Sequence, residues 1–287
     1  MEDVTPWQQQ FCNEHKLPIT YISQFDHALS WFKKEVLDQS NPLCIAVSGC
    51  QGSGKSTLSA YFVAYLKSQG KMAESVSIDD FYFSKAKRLA LSKQYAPPFV
   101  TRGAPGTHDI EQAITAVNRF KQGKPFVLPR FDKAMDDPHP EEKWTSVNTK
   151  LDVLVVEGWC LGLPHQTAAQ LTESCNAFEA QGDPERLYRS QVNSFLKTDY
   201  QRLFRLFDRL VFLNGQSFEH VLRWRLEQEH KLIERCGKGM SEQQIEAFIQ
   251  PFQRLTEWGI KTLPDRCDLE LVLSKDRSII LNNDYKQ

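Results

Sequence analysis

The sequence predicts an α/β fold with a mainly parallel sheet flanked by helices, and three observations predict it. Short runs rich in apolar residues recur at 43–48, 75–78, 151–156, 210–213 and 269–273, as strands of a buried sheet require. Stretches of helical periodicity around 110–122, 184–207 and 217–235 separate several of these runs, and strands alternating with helices pair in parallel. The first run meets a glycine-rich turn and then residues 55–67, where Leu58, Phe62 and Leu66 repeat every four positions, giving the order strand, loop, helix.

Taken along the chain, residues 22–37 place Ile22, Phe25, Leu29, Phe32 and Val36 at spacings of three and four. That spacing predicts an amphipathic helix covering the first strand. Segments 84–109 and 132–149, rich in Lys, Pro and Gly or in polar residues, read as long loops of the kind that carry function on such sheets. No repeat, low-complexity tract or shift in composition divides the chain, so residues 1–287 are expected to form one domain.

Composition narrows the function. Thirty-five Lys and Arg against thirty-six Asp and Glu leave a formal charge of -1, so no global field draws the chain to nucleic acid or an anionic membrane. No apolar run approaches the roughly 20 residues that span a bilayer. The N-terminus reads as neither a signal nor a transit peptide. The seven cysteines are scattered without a C-x-x-C pair, which speaks against a zinc site or disulfide framework and for a reducing, cytoplasmic compartment.

Gly49, Cys50, Gln51, Gly52, Ser53, Gly54, Lys55 and Ser56 spell G-x-x-x-x-G-K-S between the first strand and its helix, which is the context a phosphate-binding P-loop requires. Glycines let successive N–H groups turn toward phosphate oxygens, and the helix N-terminus adds partial positive charge. Lys55 is expected on the β- and γ-phosphates of ATP and Ser56 on Mg²⁺, with Thr57 behind them at the helix start. Cys50 reads as a filler side chain rather than a reactive thiolate. A second metal-binding carboxylate should end a neighbouring buried strand, and Glu157 closes the run 151–156. Transfer to a hydroxyl also needs a group that takes its proton. Asp79 and Asp80 close the run 75–78; on a persisting strand they point to opposite faces, one to the γ-phosphate and one to solvent or a helix N-terminus. An ordinary Asp cap with Phe81 and Tyr82 as core is the competing reading.

The blocks SGCQGSGKST, SIDDFY, RGAPGTHD, LPRFDK, VVEGW, and RWRLEQEH followed by GKGMS resemble, in that order, the glycerate kinase branch of the phosphoribulokinase/uridine kinase group of P-loop kinases. The resemblance runs from about residue 40 to 273. It implies an ATP-dependent small-molecule kinase with a five-stranded parallel core and a helical lid within 217–260. It further implies Asp79 as base, Asp80 as the second acid of the branch, and Glu157 near Mg²⁺. Arg102, His108 and Asp109 fall in an acceptor-site block, although Asp109 could equally cap a helix. Arg130, Asp132 and Lys133 fall in a block beside the acceptor; their cations suit an acidic substrate such as D-glycerate, while a surface Arg–Asp pair is the alternative. Arg223 and Arg225 lie on the lid segment, and being two apart they cannot share a helix face, so one of them, Arg225 in the assignment adopted, reaches the phosphates. Trp224 reads as core.

One stretch departs from the branch. Where glycerate kinases carry a glycine-rich segment ending G-x-G-D-R, residues 134–144 read AMDDPHPEEKW, which bears on the acceptor and leaves the phosphate machinery untouched. The favoured reading is a kinase of D-glycerate. A nucleoside, sugar or pantothenate-like acceptor is the runner-up within kinases, and an ATP-binding switch protein is the alternative from another class, against which the D-x-F-Y acid argues.

Overall fold

The computed structural model describes residues 4–37, 39–237 and 239–280. In chain order the first elements are α1 (Pro6–His15), α2 (Asp26–Phe32), β1 (Leu43–Gly49), α3 (Lys55–Ser68), β2 (Ala73–Ser77), α4 (Lys85–Gln94) and α5 (Ile110–Lys121). Short strands β3 (Phe126–Leu128), β4 (Phe131–Asp132), β5 (Asp137–Pro138) and β6 (Thr145–Val147) follow, then β7 (Val153–Gly158). The chain continues through α6 (Ala177–Gly182), α7 (Leu187–Phe195), α8 (Gln201–Phe204), β8 (Arg209–Asn214), α9 (Phe218–Cys236), α10 (Glu242–Thr262), β9 (Leu269–Leu273) and β10 (Ile279–Ile280).

The sheet has the order β10-β9-β8-β1-β7-β2, with five parallel strands and an antiparallel β10 at one edge. Side-chain alternation sorts each strand between two cores. Cys44 and Ala46 of β1, Leu154 and Val156 of β7, and Phe212 of β8 face the helices that include α5, α7 and α10. Ile45, Val47, Val153, Val155, Val211 and Leu213 face α1, α2 and α3. Burial on both faces explains why these strands read as unbroken apolar runs.

The expected helix over 22–37 is three pieces: a 3₁₀ turn over Ile19–Phe25, α2, and a π turn over Lys33–Leu37. Its apolar stripe is nonetheless the buried one, since Ile22, Phe25, Leu29, Phe32 and Val36 all pack into the core. Segment 84–109 is not one loop. It contains α4, capped by Ser84, whose Oγ accepts from the Lys87 N–H, and a 3₁₀ turn over Pro97–Val100. Segment 132–149 carries β5 and β6, which pair with β4 and β3.

Candidate active site

Three neighbouring strands deliver the chemistry to one end of the sheet. In register, Val47 and Ser77 flank Glu157, and Ser48 pairs with Gly158. The loop after β1, the acid ending β7 and the turn after β2 therefore emerge side by side at the carboxyl ends of the strands, where ligands bind in open α/β sheets. A cleft of about 770 Å³ opens there.

The loop between β1 and α3 takes backbone conformations that its glycines make possible. Gly52 and Gly54 have φ of +79° and +88°, a region that costs other residues strain. A Cβ on Gly52 would also stand 2.8 Å from the Cβ of Trp224. Trp224 is fully buried and its Nε1 donates to the Lys275 carbonyl at 2.8 Å, so α9 rests on the loop through a core tryptophan. Gln51, Gly52, Gly54, Lys55, Ser56 and Thr57 line the cleft. Gly49, Cys50 and Ser53 lie behind it, and burial pushes the Cys50 thiol up to about 12, which makes it a filler and not a nucleophile.

The Ser56 hydroxyl donates to Oε1 of Glu157 at 3.0 Å. Oε2 of the same buried carboxylate accepts no hydrogen bond and lies 3.9 Å from Lys55 Nζ. A hydroxyl beside a carboxylate with an uncommitted oxygen fits Mg²⁺, which binds through one or two protein oxygens and completes its shell with water and phosphate. The fit is to a shared metal: among the described residues no group of three or more His, Cys, Asp or Glu is placed to hold a metal alone.

β2 stops at Ser77, and Ile78–Phe81 form a 3₁₀ turn, with the Ser77 hydroxyl accepting from the Asp79 N–H. The turn, not a strand, separates the two acids. Asp79 lines the cleft; its Oδ1 accepts from the Tyr82 hydroxyl and its Oδ2 from Lys133 Nζ, both at 2.9 Å. Burial works against its charge, but Lys133 and Lys55 outweigh burial and hold the carboxyl below the ordinary aspartate value. Asp80 faces neither solvent nor a helix N-terminus. It accepts from Arg130 and from the Phe131 N–H, both at 3.1 Å, and ties β4 to the end of β2.

The structure does not bring every expected residue to the cleft. Arg130 is spent on Asp80 and on the Thr145 hydroxyl, and Asp132 accepts from the N–H groups of Ala134 and Met135 to close a turn. His108 is buried at 2% exposure, stacked on Tyr82, with Nδ1 against the Tyr200 hydroxyl. Desolvation lowers its pKa to about 4, so it is neutral. Asp109 caps α5 by accepting from the Gln112 N–H. Its block instead braces the Asp79 turn, through Asp109 N–H to the Phe81 carbonyl at 2.7 Å and Phe83 N–H to the Thr107 carbonyl at 2.9 Å. Arg223 stands outside the cleft, paired with Glu227 at 3.4 Å. Arg225 lines it and donates to the buried Glu229 at 2.6 Å. Glu229 also accepts from the Met240 N–H, and Lys238 of the GKGMS block lies outside the described residues.

Arg102 and Lys133 do reach the cleft, and three residues that the sequence reading missed stand with them: Lys85, Arg88 and Asp136. Arg88 is fully buried and donates to the carbonyls of Phe83, Val100 and Asp136. Its guanidinium also pairs with Asp136 Oδ2 at 2.8 Å, and Arg102 pairs with the other oxygen, Oδ1. No local signal marked Arg88, because it is the only buried residue of α4 and the leucines of KAKRLALSKQ form no buried stripe around it.

Residues 44–172 match the model of the Phosphoribulokinase / Uridine kinase family. Over 266 residues, 88% of this chain and 95% of the relative, the chain is 31% identical to the uncharacterized kinase mug58 of Schizosaccharomyces pombe. The chain belongs to the phosphoribulokinase/uridine kinase family. Within that kinase family it is also similar to the chloroplastic D-glycerate 3-kinase of Arabidopsis thaliana, at 27% identity over 266 residues, 86% of this chain and 56% of that protein. A solved D-glycerate 3-kinase from Cryptococcus neoformans var. grubii shares the fold, with a TM-score of 0.70 at 23% identity over 96% of this chain and 98% of that one. Among the described residues no helix is long and apolar enough to cross a membrane.

Proposed function

We propose that this kinase-family chain transfers the γ-phosphoryl group of ATP to a hydroxyl of a small acidic metabolite, with D-glycerate the favoured acceptor. The observation that carries the reading is Asp79, set in one cleft with Lys55 and Ser56 and held charged by Lys133. A carboxylate so placed can fix a hydroxyl in line with the γ-phosphate, a function that hydrolysis alone does not need.

In the proposed reaction the acceptor hydroxyl oxygen forms a bond to the γ-phosphorus as the bond from that phosphorus to the bridging oxygen breaks. The hydroxyl proton passes to the Asp79 carboxylate and the bond electrons leave with ADP. Lys55 and the loop N–H groups hold the β- and γ-phosphates, and Arg225, released from Glu229, adds positive charge beside the negatively charged oxygens of the transferring group. Ser56 and Glu157 would hold Mg²⁺, which when bound neutralises phosphate charge. Arg102 and Lys133 supply the cationic side of the acceptor site, and a guanidinium pairs well with a carboxylate. The departure at residues 134–144 does not remove that side, because its Asp136 lies within the cation cluster and leaves further N–H groups of Arg102 free.

The test is ADP release from Mg·ATP in the presence of D-glycerate, glycerol or uridine. Stimulation by D-glycerate well above the other two is expected; equal or stronger stimulation by uridine would move the acceptor to another class.

A further inference from the structure

We propose that Asp136 is a positioning residue of the acceptor site, fixing the Arg102 guanidinium so that its free N–H groups meet the carboxylate of the acceptor. The inference rests on the acidic acceptor proposed above. Its own basis is a chain of contacts that starts in the core.

Arg88 has no exposed surface, and all its hydrogen bonds are to the protein: three backbone carbonyls and Asp136 Oδ2. A buried arginine so engaged cannot itself turn to a ligand, and leaving it unpaired would be costly. It is an anchor. Asp136 is held at both ends by that anchor, through its carbonyl at 2.8 Å and its carboxylate at 2.8 Å. The residue sits at φ of +57°, a conformation uncommon outside glycine that aspartate tolerates better than most. Its second oxygen is thereby aimed into the cleft, where it takes one amino group of Arg102.

Arg102 is otherwise weakly held. Its other amino group reaches the Lys133 carbonyl only at 3.4 Å, and the guanidinium stands 5.5 Å over the Phe131 ring. A rotamer-rich side chain pays entropy to bind unless something orients it beforehand. Asp136 supplies that orientation while occupying a single N–H direction of a fork that has five. The aspartate comes from the segment in which this chain departs from the glycerate kinase pattern, so the acceptor site is completed from an unexpected part of the sequence.

The experiment is steady-state kinetics at saturating Mg·ATP with D-glycerate and with glycerol, which lacks the carboxylate. Asp136→Asn should raise KM for D-glycerate about tenfold or more, the scale of one charge-assisted contact, with a smaller change in kcat and none in KM for glycerol. Arg102→Gln should show the same selectivity, and the double variant should be no worse than Arg102→Gln, because the two residues act as one unit. Equal losses with both acceptors, additive effects in the double variant, or an unchanged KM for D-glycerate in an otherwise active Asp136→Asn protein would overturn the assignment and leave the acceptor reading intact. Absence of any D-glycerate turnover by the unmodified protein would instead overturn the acceptor reading, and this inference with it. If the amide distorts the loop, as a lowered melting temperature would reveal, Asp136→Ser repeats the comparison without the carboxylate or added volume.

Discussion

Ser56 Oγ lies 3.0 Å from Glu157 Oε1, so the first turn of α3 is joined to the end of β7 at the point where phosphate and metal would meet. Glu157→Gln keeps the shape of this contact and removes the charge. The apparent Mg²⁺ requirement of turnover should rise roughly tenfold or more, within the range expected when a metal's carboxylate support is lost. A Mg²⁺ titration of ADP release checks this, and an unchanged half-saturation point would take Glu157 out of the metal site.

Lys133 and Lys55 keep the Asp79 carboxyl below 3.8 against the opposing effect of burial. The active form of a base is deprotonated, so the rate should hold as pH falls to that lowered value and be lost only below it. In Lys133→Met the burial effect is less opposed, and the acid limb of kcat/KM should move to higher pH. A limb that stays in place would show that Lys133 does not tune Asp79.

His108 is also shifted downward, here because burial favours its neutral form. Its folded-state value is about 4 against 6.5 for the free side chain, so between these values the unfolded chain binds the extra proton and stability rises with pH. Urea unfolding at pH 5 and pH 7 should show lower stability at pH 5, and His108→Gln should flatten that difference. An equal pH dependence in the variant would assign the effect to another group.

Gly52 cannot accept a side chain without strain, given φ of +79° and the Trp224 Cβ 2.8 Å from where its own Cβ would lie. Gly52→Ala should destabilise the fold by about 1–3 kcal/mol, the usual cost of strained backbone or overpacking, and should weaken ATP binding as α9 shifts off the loop. Thermal unfolding and nucleotide titration measure the two effects, and a variant with wild-type values in both would show that α9 has room to give.

What the sequence made legible follows from what is local. The run 269–273 is β9 to the residue, because four of its five side chains are apolar and buried and Glu270 alone interrupts them. The phosphate loop, Glu157 and Asp79 could be placed because each sits within a few residues of a strand end. The helix α4 was not visible: only Arg88 of its ten residues is buried, so it has no apolar stripe to read. The pairings Asp80–Arg130 and Arg102–Asp136 join segments 50 and 34 residues apart, and no local pattern encodes them. His108 and Asp109 were expected at the acceptor because the resemblance assigns their block to it. Their block does come to the site, but as the brace behind the Asp79 turn.

The central claim is transfer of phosphate to an acidic acceptor with Asp79 as base, and product analysis tests it most directly. ³¹P NMR of D-glycerate incubated with Mg·ATP should show phosphoglycerate and ADP appearing one for one, with Asp79→Asn slowing their formation by about 10²–10⁴-fold, the range attributed to a general base. Appearance of ADP with inorganic phosphate and no phosphoglycerate would contradict the account and point to a nucleotide hydrolase or switch.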